Sequence, residues 1–172
     1  AQIPLRRRTR RLADCRILVL TEHPSCPTDE AVLQPMETMV TELEKSRVRI
    51  DRSTDRLPDL AKQNSNYVRM LSIAMARGAP GKDGKRASAT DWFDLLDIQA
   101  RNARAWDQLF DVYDFVLAPP APVLVVPNRT GSVFDGTIEI NGSQVRGADA
   151  LAWAGLATFP NLPATVLPIG ET

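Results

Sequence analysis

The side chains able to do nucleophilic or metal chemistry are few, and they gather early in the chain. His23 is its single histidine and stands in TEHPSCPTDE, three positions before Cys26. A Ser-His-Asp system would have to run through that one imidazole, held in a proline-rich turn. His23 and Cys26 are spaced closely enough to share a metal ion, and Cys15 could join them, but no paired ligand motif supplies a fourth donor. Ser132 in GSVFDG and Ser143 in NGSQVRG lack the Gly-x-Ser-x-Gly spacing of a nucleophile elbow. GAPGKDGK has the glycines and lysines of a phosphate loop, yet Ala79 stands where the loop needs glycine and Arg86 where it needs a hydroxyl. These stretches read as turns and a connector, and the sequence predicts no catalytic residue, no metal and no cofactor.

Carboxylates are the remaining candidates. Asp91, Asp94 and Asp97 recur every three residues and share one helical rim, where two close carboxylates could do acid-base work. Arg101 and Arg104 continue that rim, which makes it a solvated, ion-paired face. Asp114 stands between a long helical pattern and an aliphatic strand, where a carboxylate can tie down backbone N–H groups. Arg6, Arg7, Arg8, Arg10 and Arg11 form a basic run without interleaved aromatics to stack on bases. Residues 1–13 are therefore expected to be a basic linker or arm, with no nucleic-acid role.

The elements that must position these residues alternate in type. CRILVL is aliphatic without alternation, the mark of a strand covered on both faces. Thr28 is placed to cap a helix bearing Leu33, Met36, Val40 and Leu43 on one face, kinked at Pro35 or starting there. VRID is a second short strand. A further helix is expected over 57–77, with Gly78 ending it. Thr90 is placed to cap the longest helix, along which Trp92, Leu95, Gln99, Ala103, Trp106, Phe110 and Tyr113 advance by three or four residues. DFVLAP is a second aliphatic strand. TIEINGSQV reads as a hairpin turning at Asn141-Gly142. ADALAWAGLATF is a short apolar helix, and Ala164–Pro168 is expected to be a closing buried strand. The fold class predicted is α/β, a mixed sheet layered with helices.

With 172 residues and 44 % hydrophobic content the chain can bury a real core. Its 21 basic and 21 acidic residues cancel, so no global field draws polyanions or anionic membranes. No apolar run approaches the roughly 18 residues of a membrane span. Two cysteines are too few for a disulfide framework and fit a reducing compartment, so a cytoplasmic protein is expected.

From Trp106 onward, W-DQLF-DVYDFVLAPPAP, then IEINGSQV, then WAGLATFPNLPATVLPIG, the chain resembles the C-terminal portion of the amidase-signature family of bacterial amidases. ADCRILVLTEHPSCPTDEAV is similar to the strand and helix that follow that family's catalytic core. One departure lies in EKSRVRI, where Ser46 and Arg47 replace the usual glycine. The resemblance implies that residues 14–172 are the C-terminal portion of an amidase-signature domain. It further implies a fold incomplete in this chain, a small-molecule amide as substrate, and partnership with an upstream portion carrying a Ser, cis-Ser, Lys triad. Trp153, Phe159, Pro160 and Asn161 are the residues expected to reach substrate, with packing as the alternative role for Trp153 and Phe159. Three buried strands and two apolar helices exceed what so small a sheet can cover, so self-association is expected as well. A non-catalytic module adding a strand to a partner's sheet is the other reading open at this point.

Overall fold

The computed structural model describes residues 11–81, 83–125 and 136–170, which leaves the basic run at 6–10 and Ser132 outside the described residues. After a short 3-10 turn at Leu12–Asp14 come β1 (Arg16–Val19), α1 (Glu30–Lys45), β2 (Arg49–Asp51), α2 (Leu60–Ala76), α3 (Ala89–Phe110) and β3 (Phe115–Leu117). A hairpin of β4 (Thr137–Ile140) and β5 (Ser143–Arg146) leads through a second 3-10 turn into α4 (Leu151–Thr158).

Among the described residues β1, β2 and β3 form one parallel sheet in the order β2-β1-β3, with Ile17 opposite both Ile50 and Phe115. β1 is central, and its side chains divide between two faces as strand geometry requires. Ile17 and Val19 pack on Met36 and Val40 of α1 together with Val48. Leu18 and Leu20 pack on Leu60, Trp106, Leu109, Tyr113, Trp153 and Leu156, which come from α2, α3 and α4 and their borders. The expected two-sided burial of CRILVL is thus observed, in a helix–sheet–helix sandwich. Two parallel crossovers of one hand, running from β1 to β2 and back over β1 to β3, put their helices on opposite faces.

The local chemistry differs from the sequence expectations at helix ends. Asp29, not Thr28, caps α1, its Oδ1 accepting the Ala31 N–H at 2.8 Å. The Thr28 hydroxyl is committed elsewhere, to an indole. Pro35 lies inside α1, so the helix neither starts there nor ends; it forgoes one backbone bond. Asp59 caps α2, which begins three residues later than the apolar pattern because Pro58 precedes it. Ser88 caps α3 in a capping box with Asp91, so Thr90 falls inside the helix. Arg47 takes the left-handed φ of 62° in the turn before β2, the place where the resembled family carries glycine. Asn141 and Gly142, at φ 50° and 75°, make the tight hairpin turn expected of that dipeptide. Asp114 performs the tie expected of it: its Oδ2 accepts the Arg16 N–H at 3.0 Å and its own N–H reaches the Arg16 carbonyl at 2.8 Å, aligning β3 with β1.

The closing strand is not formed. Residues 163–170 are exposed and pair with no strand among the described residues, with Val166 72 % and Leu167 66 % accessible. A strand exists only where an edge accepts its N–H and C=O groups. Its far end comes near α1, where a Cβ on Gly170 would lie 3.2 Å from the Pro35 side chain. The outer edge of β3 pairs with no strand among the described residues either, and Phe115 on it is 55 % exposed.

Candidate functional site

In an open parallel sheet, ligands bind beyond the carboxyl ends of the strands where neighbouring connections leave in opposite directions. Here that point lies between β1 and β3. The loop 20–29 leaves β1 toward α1, and 118–122 leaves β3, with the Asp29 N–H donating to the Pro122 carbonyl at 2.8 Å. The crevice gathers His23, Cys26, Thr28 and Trp153.

His23 is 93 % buried, being 7 % exposed, and its ring stands edge-on to Trp153 at 5.4 Å and 70°. Its Nδ1 accepts the Ser25 N–H at 3.1 Å. A neutral ring accepting at Nδ1 carries its proton on Nε2. Trp153 is fixed in turn by an indole bond of 2.9 Å to the Thr28 hydroxyl, whose backbone carbonyl accepts from the Asn141 side chain at 3.1 Å. The hairpin thereby locks the β1 loop from behind. Burial lowers the His23 pKa below its ordinary value. Cys26 moves in the inactive direction for a nucleophile: burial, then the nearby Asp149 charge, push its thiol up to about 11. Neutral imidazole beside protonated thiol is the reverse of an activated Cys-His pair. Both Cys15 and Cys26 are buried free thiols. Among the described residues no cluster of three or more His, Cys, Asp or Glu side chains could hold a metal ion.

The His23 shift predicts a pH dependence of stability. Because the folded ring resists protonation, stability should be full above the unfolded value near 6.5 and fall as pH drops through the lower folded value. Urea midpoints measured from pH 7.5 to 5 should decline in the native protein more than in a His23→Gln variant. Parallel curves would contradict the assigned burial of the neutral ring.

A second polar knot lies behind the first. Gln63 of α2 is buried, accepts the Trp106 indole N–H at 2.8 Å, and donates to the carbonyls of Gly155 and Leu156 at 3.0 Å each. It joins three helices through one amide. Gly155 is required there because a Cβ would stand 2.6 Å from the Tyr67 ring. Sequence reasoning passed over Gln63, although a polar residue on the Leu60–Tyr67 stripe was the available signal.

The four expected substrate contacts fall in different settings. Trp153 and Phe159 are buried at 3 % and 1 % exposure, and the Phe159 carbonyl accepts from Gln99 at 2.7 Å. Pro160 is buried beside it, while Asn161 is exposed in a left-handed turn with φ 59°. A separate cleft of about 340 Å³ lies between the β1 loop and the start of α2, lined by Glu22, His23, Pro24, Leu57, Pro58 and Leu60. Trp153 bears on it indirectly, through His23.

A smaller cleft of about 260 Å³ lies at the opposite end of the sheet, lined by Arg16, Arg49, Tyr113 and Asp114 among others. Arg16 binds Asp51 at 2.7 Å, lowering that carboxyl's pKa, and covers the Tyr113 ring at 5.0 Å. These groups hold strands together. Of the carboxylates on α3, Asp91 is engaged by Ser88 and by Arg69 at 2.7 Å, and Asp94 and Asp97 are exposed. Ser143 begins β5, in the hairpin. No helix among the described residues is long and apolar enough to cross a membrane. No protein-family model matches the chain, and no curated protein matches it.

Proposed function

We propose that this chain is the C-terminal portion of a cytoplasmic amidase of the amidase-signature type, a hydrolase of carboxamides. In this reading it completes the sheet and walls part of the substrate pocket, while a preceding portion of the same protein supplies the Ser, cis-Ser, Lys triad. The observation that carries the reading is the exposed apolar segment at 163–170, together with an outer β3 edge that pairs with no further strand among the described residues. Val166, Leu167 and Ile169 form a strand-type sequence with no sheet to join, which is costly unless other chain covers it. Both thiols are buried, and the bond that His23 makes to a serine is to the backbone N–H of Ser25 and not to a hydroxyl.

The complete reading frame should hydrolyse simple aryl or alkyl amides between about pH 6 and 9, where a lysine-relayed serine works. The 172-residue chain alone should show no turnover above background. Amide hydrolysis by the chain alone, abolished by Ser143→Ala or His23→Ala, would overturn the proposal. The same exposed surface should make the isolated chain associate. Light scattering at micromolar concentration should give a mass above the monomer or, failing that, an apolar dye should bind. A monomer that binds no dye would count against an uncovered interface and for a self-sufficient module.

A further inference from the structure

The tip of the β4–β5 hairpin carries a covalent reactivity of its own. Asn141-Gly142 is the one Asn-Gly pair in the sequence, and both residues are exposed. In such a pair no Cβ shields the following amide, so its nitrogen can attack the asparagine side chain. Ring closure joins the Gly142 nitrogen to Asn141 Cγ and breaks the bond from Cγ to Nδ2. The Gly142 amide proton leaves with that group as ammonia, and a succinimide remains. Water, the only co-reactant, then opens the ring at either carbonyl to give aspartate or isoaspartate.

The fold holds the reacting carboxamide at both ends. Asn141 Oδ1 accepts the Glu30 N–H at 3.0 Å, and Nδ2 donates to the Thr28 carbonyl at 3.1 Å. Glu30 is the first residue of α1, where backbone N–H groups have no partner within the helix. Attack requires Cγ to turn toward the nitrogen that follows it, and that turn breaks both bonds. The backbone resists it too, because Asn141 and Gly142 sit at φ 50° and 75° in a two-residue turn closed by the pairing of Ile140 with Ser143. We propose that Asn141 is a deamidation site kept latent by the Glu30 N–H and the Thr28 carbonyl, and that its conversion unlocks the hairpin from the β1 loop. In the aspartate product one oxygen can still accept the Glu30 N–H, but the other faces the Thr28 carbonyl with no proton between them. Isoaspartate goes further, since its extra backbone methylene lengthens a turn whose register admits two residues. Thr28 is buried and its hydroxyl holds the Trp153 indole at 2.9 Å. Loss of the Asn141 donor therefore loosens the junction of the hairpin, the β1 loop and α4. None of this depends on the amidase reading.

The test follows Asn141 by peptide mass spectrometry, with an enzymatic isoaspartate assay to identify the ring route. The folded 172-residue chain and the same chain in denaturing urea are incubated at one mildly alkaline pH. Conversion should be at least tenfold slower in the folded chain, with isoaspartate among the products. Equal rates, faster conversion in the fold, or aspartate without isoaspartate would overturn the proposal. Glu30→Pro removes the donor to Oδ1 at the first helical position, where proline fits a helix and follows an extended Asp29. It should keep the native circular dichroism and raise the folded rate at least fivefold; an unchanged rate would overturn the clamp. If that variant does not fold, the comparison in urea still decides the latency, and Asn141→Asp decides the unlocking. Hydrogen exchange of the Trp153 indole N–H should be at least tenfold faster in Asn141→Asp than in the native chain. The Trp106 indole, bonded to Gln63, is the control and should not move. Native exchange at Trp153, or an equal gain at both indoles, would overturn the unlocking.

Discussion

Replacing Trp106 by alanine should cost about 3–5 kcal/mol of unfolding free energy, the range for deleting a buried large aromatic. The indole is 1 % exposed and sits where α3 meets β1 and α2. Its loss leaves a cavity among Leu18, Leu109 and Trp153, which close packing allows the surroundings to fill only in part. It also orphans Gln63 Oε1, which accepts the indole N–H at 2.8 Å. A buried acceptor left without its donor adds about 1–3 kcal/mol to a truncation and belongs within the same total. Phe93, 65 % exposed on the same helix, is the control: Phe93→Ala should change stability by no more than about 0.5 kcal/mol. Urea denaturation of the three proteins at one pH measures both. A loss below about 1 kcal/mol for Trp106→Ala would mean that the helix face is not buried as described.

What the sequence disclosed and what it hid follow from the range of the forces involved. β1 was legible because an unbroken aliphatic run is tolerated only between two covered faces. The hairpin was legible because Asn-Gly meets its dihedral demands by itself. Asp114 was legible because a carboxylate beside a buried strand must find donors. Helix caps were misassigned by one to two residues at α1 and α3, where several Ser, Thr and Asp stand side by side and tertiary bonds choose among them. Thr28 lost the cap to Asp29 because its hydroxyl serves Trp153 from across the chain. On α3 the periodicity placed Phe110 in the core, but Leu109 is buried and Phe110 is 37 % exposed, since the helix meets its neighbours at an angle that no period encodes.

The closing strand shows a different limit. ATVLP has strand composition, and composition speaks only for a segment's capacity to pair, not for a partner's presence. The cleft was invisible for a related reason. Glu22 to Pro24 and Leu57 to Leu60 are remote in sequence, and only the return of the chain across β1 brings them to one crevice. In the sequence His23 is a lone imidazole in a turn; its tautomer is set locally by the Ser25 N–H, but the ring that packs against it belongs to Trp153, which follows far downstream.

The largest effect expected is all-or-none. Amide hydrolysis by a serine activated through a relay needs the nucleophile, its proton acceptor and an oxyanion site together, and losing such a unit costs several orders of magnitude. The proposal places that unit in the portion of the protein preceding residue 1 and gives residues 163–170 the task of joining the two. The decisive measurement is amide turnover by that portion, produced separately, as the 172-residue chain is titrated into it. Turnover should rise from background to saturation. A chain carrying Val166→Asp and Leu167→Asp should keep its circular dichroism, because both side chains are exposed in isolation, and yet restore at least tenfold less. Turnover by the preceding portion that is indifferent to added chain, or full restoration by the double variant, would contradict the account.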